Sequence, residues 1–243
     1  MNLLKDSVFP DLTEKTHIFC LRTMESHVPH LFSYLSPQEK DKSNRFIYEH
    51  LRSRYIISHG ILRVLLGHYL GIEAHQIEYT YNPYQKPFCK QAPKLSFNMS
   101  HSKDYACYIF SFDYKVGIDI EFINTDLDIT ALLPSVATSS EILALNTLNP
   151  SEKIFSFYKM WTLKEAFLKA LGVGLSYPLT LLETSILPKE KFKVTTDLFS
   201  ILPMDSAQNL NPEWSFSPIK SIPRYVGAIA INQKKIYPYP MSS

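Results

Sequence analysis

VGIDIEF, residues 116–122, is the stretch that decides the fold, because its apolar and acidic side chains alternate with the period of a β-strand. In an extended chain the three aliphatic side chains point to one face, and Asp119 and Glu121 point to the other. Two carboxylates on one face repel each other unless a cation lies between them, and carboxylate oxygens suit Mg²⁺. The same spacing also fits a half-exposed strand whose two acids are simply solvated.

A long helix is predicted from about residue 151 to residue 171. Glu152 lies early and Lys169 late in it, which suits the helix macrodipole, and Gly172 can end it. Glu165 and Lys169 lie four residues apart, which is also the spacing of an ordinary ion pair on a helix surface. Apolar residues cover so much of this helix that most of it must be buried, and a buried Glu165 then needs a partner.

Two shorter motifs precede these elements. FNMSHS, residues 97–102, carries Ser100 and His101, whose side chains diverge in an extended chain. A serine hydrolase would also need an orienting acid and a G-x-S-x-G turn, and the sequence has no such turn. Contact with a phosphate is the functional interpretation, and a structural histidine is the alternative. In YQKPF, residues 84–88, the proline holds Lys86 extended, either as a fixed cation or as an ordinary turn lysine.

The remaining pattern predicts an α+β protein with two similar halves. A capped helix begins at Ser36, and a longer helix covers about 43–70. Strands are predicted at 17–21, 76–81, 95–99, 106–112, 116–122, 181–186, 191–196, 213–216 and 224–231. The turn at 112–116 predicts a hairpin between two of these strands. The order helix, strands, helix, strands indicates an N-terminal half, 1–114, and a C-terminal half, 115–243.

The amino-acid composition excludes several classes of protein. The chain has 243 residues, of which 45% are hydrophobic and 20% charged, as in an ordinary soluble enzyme. A formal net charge of +2 does not favour nucleic acid as the main partner. The three cysteines include no C-x-x-C pair, which argues against a disulfide framework and a zinc site and favours a reduced, cytoplasmic setting. No signal-peptide pattern and no apolar stretch of membrane-spanning length is present, so no membrane partner is expected.

In this order, FNMSHS, VGIDIEF and WTLKEAFLKALGVGLSYPL (residues 161–179) resemble the 4′-phosphopantetheinyl transferase superfamily, in particular its larger, surfactin-synthetase-activator (Sfp-like) type. The family pattern is G-[IV]-D-[IV]-E followed downstream by W-[ST]-x-K-E-[SA]-x-x-K, and residues 117–121 and 161–169 match its two parts. The resemblance covers roughly residues 36–179. One departure is Gln85, which stands where the family commonly has a glycine before the K-P pair.

The resemblance implies a fold and a set of site residues. The fold is two α+β halves related by pseudo-twofold symmetry, with the active site in the cleft between them. Asp119, Glu121 and Glu165 are expected to hold Mg²⁺, and Lys169 to contact the phosphates of coenzyme A at the reacting end. The nucleotide end is expected to be held by the other candidates, which are Lys42, Arg54, Lys86, Ser100 and His101.

The implied activity is transfer of 4′-phosphopantetheine from coenzyme A to a serine of an apo acyl or peptidyl carrier protein, with release of 3′,5′-ADP, by a holo-[acyl-carrier-protein] synthase type enzyme. Glu165, or a water that it orients, is the expected general base, with Lys169 as the second catalytic residue. The alternatives are another Mg²⁺-dependent phosphoryl or nucleotidyl transferase, although no G-x-x-x-x-G-K-[ST] loop is present, and a non-catalytic carrier-binding module. A monomer is expected, and its carrier could serve fatty acid synthesis or secondary metabolism.

Overall fold

A computed structural model describes residues 16–174, 177–187, 191, 193–194, 214–219 and 222–232. The strands of these segments are β1 (His17–Arg22), β2 (Tyr79–Tyr81), β3 (Pro87–Cys89), β4 (Ser96–Ser102), β5 (Tyr105–Ser111), β6 (Lys115–Phe122), β7 (Trp214–Pro218) and β8 (Tyr225–Asn232). The α-helices are α1 (Val28–Tyr34), α2 (Pro37–Asn44), α3 (Glu49–Leu70), α4 (Ile129–Val136), α5 (Ser139–Asn146) and α6 (Pro150–Leu171). None of the described helices has the length and apolar character of a membrane span.

Two three-stranded antiparallel sheets form the framework. In the first sheet β5 lies between β1 and β4, and in the second β8 lies between β6 and β7. In each, the first strand of a half pairs with the last, and a 22-residue helix, α3 or α6, lies between them in the sequence. The protein is therefore α+β, as predicted, and its two halves repeat the same order of elements and the same strand pairing.

The aliphatic face of VGIDIEF lies where the two halves pack together. Val116, Ile118 and Ile120 are fully buried and share one hydrophobic cluster with Ile109 of β5 and Ile229 of β8. A second cluster lies under α3, and a third lies between α6 and the sheet of β6 and β8. The predicted strand and the burial of its aliphatic side chains are confirmed.

The predicted hairpin between the strands at 106–112 and 116–122 is wrong. β5 pairs with β1 and β4, whereas β6 pairs with β8 in the other sheet. A turn does lie between them, since the Ser111 hydroxyl accepts hydrogen bonds from the backbone N–H groups of Asp113 and Tyr114. A turn fixes a change of chain direction, but it does not decide which strand the next segment pairs with.

The helix predicted over about 43–70 is present as α3, but it begins later, at Glu49, because the preceding helix α2 extends to Asn44. The predicted start of the first helix is confirmed. The Ser36 hydroxyl accepts from the Glu39 N–H at 3.2 Å, and the Glu39 carboxylate accepts from the Ser36 N–H at 2.8 Å, which together make a capping box. Helical periodicity continued through the connecting residues, so the sequence pattern alone did not show the interruption.

The two C-terminal strands at 213–216 and 224–231 correspond to β7 and β8. The strand predicted over 181–186 is wrong: Leu179–Leu181 is a 3₁₀ turn, followed by a single antiparallel bridge between Thr184 and Val194. Most of the strand predicted over 191–196 lies outside the described residues.

Cys20 and Cys107 form a disulfide between β1 and β5. The two residues stand directly opposite each other in the antiparallel register, with their Cα atoms 4.1 Å apart, whereas Cys89 is buried and free. The expectation that the cysteines form no disulfide is therefore wrong. The paired cysteines lie 87 positions apart in the sequence, and only the register of two strands brings them together.

Gln85 has a left-handed backbone conformation, with φ at 65°, in the turn between β2 and β3. A side chain makes this conformation unfavourable by about 1–2 kcal/mol, whereas glycine adopts it freely. The turn is nevertheless well formed, because the Asn82 side-chain oxygen accepts from the N–H groups of Tyr84, at 3.0 Å, and Lys86, at 2.8 Å. The backbone therefore keeps a glycine-type turn although glycine is absent.

Gln85→Gly is expected to raise the free energy of unfolding by about 1 kcal/mol, because relief of the left-handed strain exceeds the added chain entropy of glycine in the unfolded state. Urea denaturation of the two proteins measures the difference. Tyr84→Gly is the matched control in the same turn. Tyr84 does not have a positive φ, so this second change should lower stability. A loss of stability in Gln85→Gly would contradict the expectation.

Candidate active site

The site begins at a close contact between β6 and α6. Gly117 lies against the helix backbone, where a Cβ atom would stand 2.0 Å from the Ala166 carbonyl oxygen and 2.5 Å from the Ala170 nitrogen. Only a residue without a side chain permits this approach. The contact brings the acids that follow on β6 close to Glu165 and Lys169, which precede Ala166 and Ala170 on α6.

A pocket of about 250 Å³ opens between the two halves. It is lined by Met99, Ser100, His101, Asp119, Glu121, Trp161, Glu165 and Lys169. The first three belong to β4 of the N-terminal half, and the others belong to β6 and α6. Six of the nine predicted site residues therefore line one pocket, and Lys42, Arg54 and Lys86 lie outside its lining.

Asp119 is the most buried of the three acids, with 2% of its surface exposed. Its Oδ1 accepts from Lys169 Nζ at 2.6 Å and from Ser100 Oγ at 2.8 Å. Its Oδ2 is buried and has no hydrogen-bond partner. A buried anionic oxygen without a partner is costly, so this oxygen suits a ligand that enters the pocket.

Glu121 and Glu165 are the other two carboxylic acids that line this pocket. Burial, followed by the charge of Asp119, raises the pKa of Glu121 to about 7. The same two causes, in the same order, raise the pKa of Glu165, and its Oε1 is buried without a hydrogen-bond partner. Carboxylates that raise each other's pKa and leave oxygens unpartnered are stabilised when a cation is placed among them.

The three acids fit a hard divalent cation. Mg²⁺ prefers carboxylate oxygen, usually binds through one or two carboxylates, and completes its shell with water and substrate phosphates. Within the described segments, no three acidic, histidine or cysteine side chains stand close enough to hold a metal ion by themselves. The residues therefore support an open site that water and a diphosphate would complete, and they do not support a closed protein cage.

Magnesium binding is expected to weaken as the pH falls below about 7, which is the raised pKa of Glu121. Because this pKa lies above its ordinary value of 4.5, the folded protein without metal holds a proton that the unfolded chain has lost, and its stability falls as the pH rises between these two values. A Mg²⁺ ion that binds to the Glu121 carboxylate would have to displace the proton from that carboxyl group. Calorimetry in buffers of different ionisation enthalpy should show more proton release at about pH 6 than at about pH 8. Glu121→Gln should reduce the difference, and the part that remains belongs to Glu165, whose pKa is also raised. Proton release that is independent of pH in the unaltered protein would contradict the expectation.

Arg54 lies on α3 and Lys42 on α2, and neither lines the pocket. Partial burial, followed by the charges of Lys169 and Arg54, lowers the pKa of His101, so Arg54 acts on the rim of the pocket. Lys42 Nζ lies 5.3 Å from the ring centre of Tyr55. These positions are compatible with the predicted contacts to the nucleotide end of coenzyme A, which stay predictions.

Lys86 is placed differently from the other two cations. Its Nζ donates to the carbonyl oxygens of Lys169, at 2.6 Å, and Ala170, at 3.2 Å, in the last turn of α6. Burial, followed by the charge of Lys115, lowers its pKa to about 7. These carbonyls belong to the helix end that lacks partners within the helix, so Lys86 supports the turn that carries Lys169. Its contact with the nucleotide stays a prediction, and the contacts shown are structural.

Sequence reasoning did not select Ser102, whose hydroxyl donates to Glu121 Oε2 at 2.8 Å. A signal was present, because polar side chains recur at every second position of SFNMSHS, residues 96–102. This is the period of a strand with one polar face. The pattern indicates that Ser102 lies on the same face of the strand as Ser100, which lines the pocket.

Two family models match this chain. The model described as the 4′-phosphopantetheinyl transferase superfamily matches residues 115–230. The model described as 4′-phosphopantetheinyl transferase, N-terminal, matches residues 22–111. The first matched segment contains β6 and α6, and the second contains β4, so the two segments together include all three elements that line the pocket.

Curated relatives carry the same description. The 4′-phosphopantetheinyl transferase HetI of a Nostoc species is 32% identical over 204 residues, which are 80% of this chain and 86% of the relative. The 4′-phosphopantetheinyl transferase Sfp of Bacillus subtilis is 31% identical over 149 residues, which are 60% of this chain and 64% of that one. A solved holo-(acyl-carrier-protein) synthase from Bacillus anthracis, in complex with CoA, has a TM-score of 0.40 and 17% identity over 50% of this chain and 98% of that one. Because its likeness to HetI extends over most of both sequences, this chain belongs to the 4′-phosphopantetheinyl transferase superfamily.

Proposed function

We propose that this protein transfers the 4′-phosphopantetheine arm of coenzyme A to a serine of an apo carrier protein, and that Asp119, Glu121 and Glu165 hold the Mg²⁺ that the transfer needs. The observation that carries the proposal is the convergence of these acids and Lys169 on one pocket between the two halves. Membership of the superfamily supports the reaction class, since relatives such as HetI and Sfp are named for it.

The reaction forms a bond between the carrier serine oxygen and the β-phosphorus of coenzyme A, and it breaks the bond from that phosphorus to the oxygen of the departing 3′,5′-ADP. The three acids would hold Mg²⁺ in the pocket, where the ion would supply charge neutralisation for the diphosphate. Lys169, held 2.6 Å from Asp119, adds a fixed positive charge beside the phosphates. Glu165, whose pKa burial and Asp119 raise, accepts the serine proton directly or through a water.

For the nucleotide end of coenzyme A we propose His101, Arg54 and Lys42, since His101 lines the pocket, the charge of Arg54 acts on His101, and Lys42 is a further cation, on α2. Lys86 joins this set only if its ammonium leaves the carbonyls of α6. The Ser100 hydroxyl already bonds to Asp119 and to the Ile120 N–H, which favours a role beside the acids over direct contact with a phosphate.

The finer features of the proposal have separate support. A holo-[acyl-carrier-protein] synthase type of activity, on acyl or peptidyl carriers, follows from the reaction class. The halves 1–114 and 115–243 are supported by the repeated order of elements. A monomer is supported because one chain supplies both walls of the pocket. A cytoplasmic location has no support from the structure, and the Cys20–Cys107 disulfide argues against the reduced setting that the cysteine pattern favoured.

Mass spectrometry of several apo-carriers incubated with this protein, coenzyme A and Mg²⁺ tests the proposal. One carrier should gain the mass of phosphopantetheine on a single serine, and removal of Mg²⁺ with a chelator should prevent the gain. Replacing coenzyme A by ATP is the control for another phosphoryl or nucleotidyl transferase. Modification from ATP, with none from coenzyme A, would overturn the proposed reaction.

A further inference from the structure

A row of polar side chains joins β4 to β6, although the two strands belong to different sheets. Successive N–H groups of β6, at Val116, Ile118, Ile120 and Phe122, donate at 3.2, 2.9, 3.3 and 3.0 Å to side-chain oxygens of β4. The acceptors, which we call the β4–β6 seam, are Ser96, Asn98, Ser100 and Ser102. Donor and acceptor numbers rise together, so the two strands run in the same direction.

Two members of the seam also contact acids of the pocket. Ser100 Oγ lies 2.8 Å from Asp119 Oδ1, and Ser102 Oγ lies 2.8 Å from Glu121 Oε2. A serine hydroxyl has one proton to donate and lone pairs to accept. Because each oxygen accepts from a backbone N–H, its own proton is free for the carboxylate. Each serine therefore ties one acid to a fixed point on the backbone of β6.

We propose that Ser100 and Ser102 are positioning residues of the metal site, each holding one oxygen of an acid so that the other oxygen faces the cation. The inference rests on the Mg²⁺ site proposed above. For Asp119 the arrangement is explicit, since Oδ1 bonds to Ser100 and Lys169 while the buried Oδ2 has no partner. For Glu121 the bond from Ser102 to Oε2 leaves Oε1 for the ligand.

The seam places the orienting groups and the ligands on opposite sides of the junction between the halves. The serines lie on β4 of the N-terminal half, and the acids they hold lie on β6 of the C-terminal half. Loss of a hydrogen bond that orients a metal-binding group typically weakens metal affinity by about 10–100-fold. Metal affinity therefore depends on how the two halves pack, through two hydroxyl groups that need not touch the metal.

Ser102→Ala tests the inference, with Mn²⁺ as a spectroscopic substitute for Mg²⁺. Loss of the free Mn²⁺ signal in electron paramagnetic resonance measures binding to the coenzyme A-saturated protein, and the Mg²⁺ concentration for half-maximal transfer is a second readout. We expect Ser102→Ala to weaken Mn²⁺ binding by about 10–100-fold. Ser102→Thr keeps the hydroxyl and should restore binding. Ser102→Cys, with a weaker donor of similar size, should lie between them and serves if the alanine variant does not fold.

Ser96→Ala is the matched control. Ser96 is a seam member that accepts from the Val116 N–H, and the residue that precedes Val116 is Lys115, which is not an acid. This variant should lose comparable thermal stability and keep its Mn²⁺ affinity. Equal Mn²⁺ affinity in Ser102→Ala and the unaltered protein, or equal weakening in Ser96→Ala and Ser102→Ala, would overturn the inference and leave the metal site in place. Absence of Mn²⁺ binding in the unaltered protein would overturn both.

Discussion

Glu165→Gln is expected to lower the rate of transfer by roughly 10²–10⁴-fold, because glutamine cannot accept a proton and is a poor ligand for Mg²⁺. The same change should leave the melting temperature without Mg²⁺ unchanged or higher. Burial and Asp119 raise the pKa of Glu165, which means that its ionised form is unfavourable in the folded protein. Its removal therefore relieves repulsion, and activity and stability should move in opposite directions.

Two measurements check this prediction. Coenzyme A consumption gives the rate, and thermal melting with and without Mg²⁺ gives the stability and the gain on metal binding, which should disappear in the variant. Glu152→Gln is the matched control, since Glu152 is an exposed acid in the first turn of the same helix. Transfer at the unaltered rate by Glu165→Gln would show that this acid is not part of the site.

Lys164→Met is expected to lower the free energy of unfolding by about 3–5 kcal/mol, because it leaves a buried charge without its partner. Lys164 is fully buried, and its Nζ donates to Glu141 Oε2 at 2.6 Å and to the carbonyl oxygens of Val136 and Leu179 at 2.7 and 2.9 Å. The other Glu141 oxygen accepts two bonds from Thr184. One lysine therefore ties α6 to three neighbouring segments of the C-terminal half.

Urea denaturation followed by tryptophan fluorescence measures the loss. Lys153→Met is the control on the same helix, since its ammonium makes an exposed contact of 2.9 Å with the side chain of Asn146, and its effect should stay within about 0.5 kcal/mol. The double change Lys164→Met with Glu141→Gln should recover part of the loss, because no unpaired buried charge remains. A loss in Lys164→Met as small as in the control would mean that this ion pair does not stabilise the fold.

The sequence predicted the parts of the site that local periodicity determines. Alternation along residues 116–122 placed Asp119 and Glu121 on one face, and helical spacing placed Glu165 and Lys169 on another element. The structure brings all four to one pocket. The metal itself and the role of each residue stay proposals, because the positions of side chains do not by themselves show a ligand.

Three of the missed features depend on contacts between distant parts of the chain. The Cys20–Cys107 pair and the separation of β5 from β6 follow from strand register, which alternation within one strand does not encode. Lys164 and Glu165 are neighbours in the sequence, yet the helix points one into the core and the other into the pocket. The spacing gave no sign that Lys164 would meet Glu141.

Because Gly117 has no side chain, this position limits which sequence changes the protein can accept near its pocket. The distance between the acids of β6 and Glu165 of α6 is set by how closely the two backbones pack. A Cβ atom added at Gly117 would lie 2.0 Å from a backbone oxygen of α6. Any larger residue would force the helix to retreat and would widen the reaction centre. The distance between these acids is therefore set by a sheet–helix contact beneath the pocket, and a substitution at Gly117 would change that distance without altering any residue that lines the pocket.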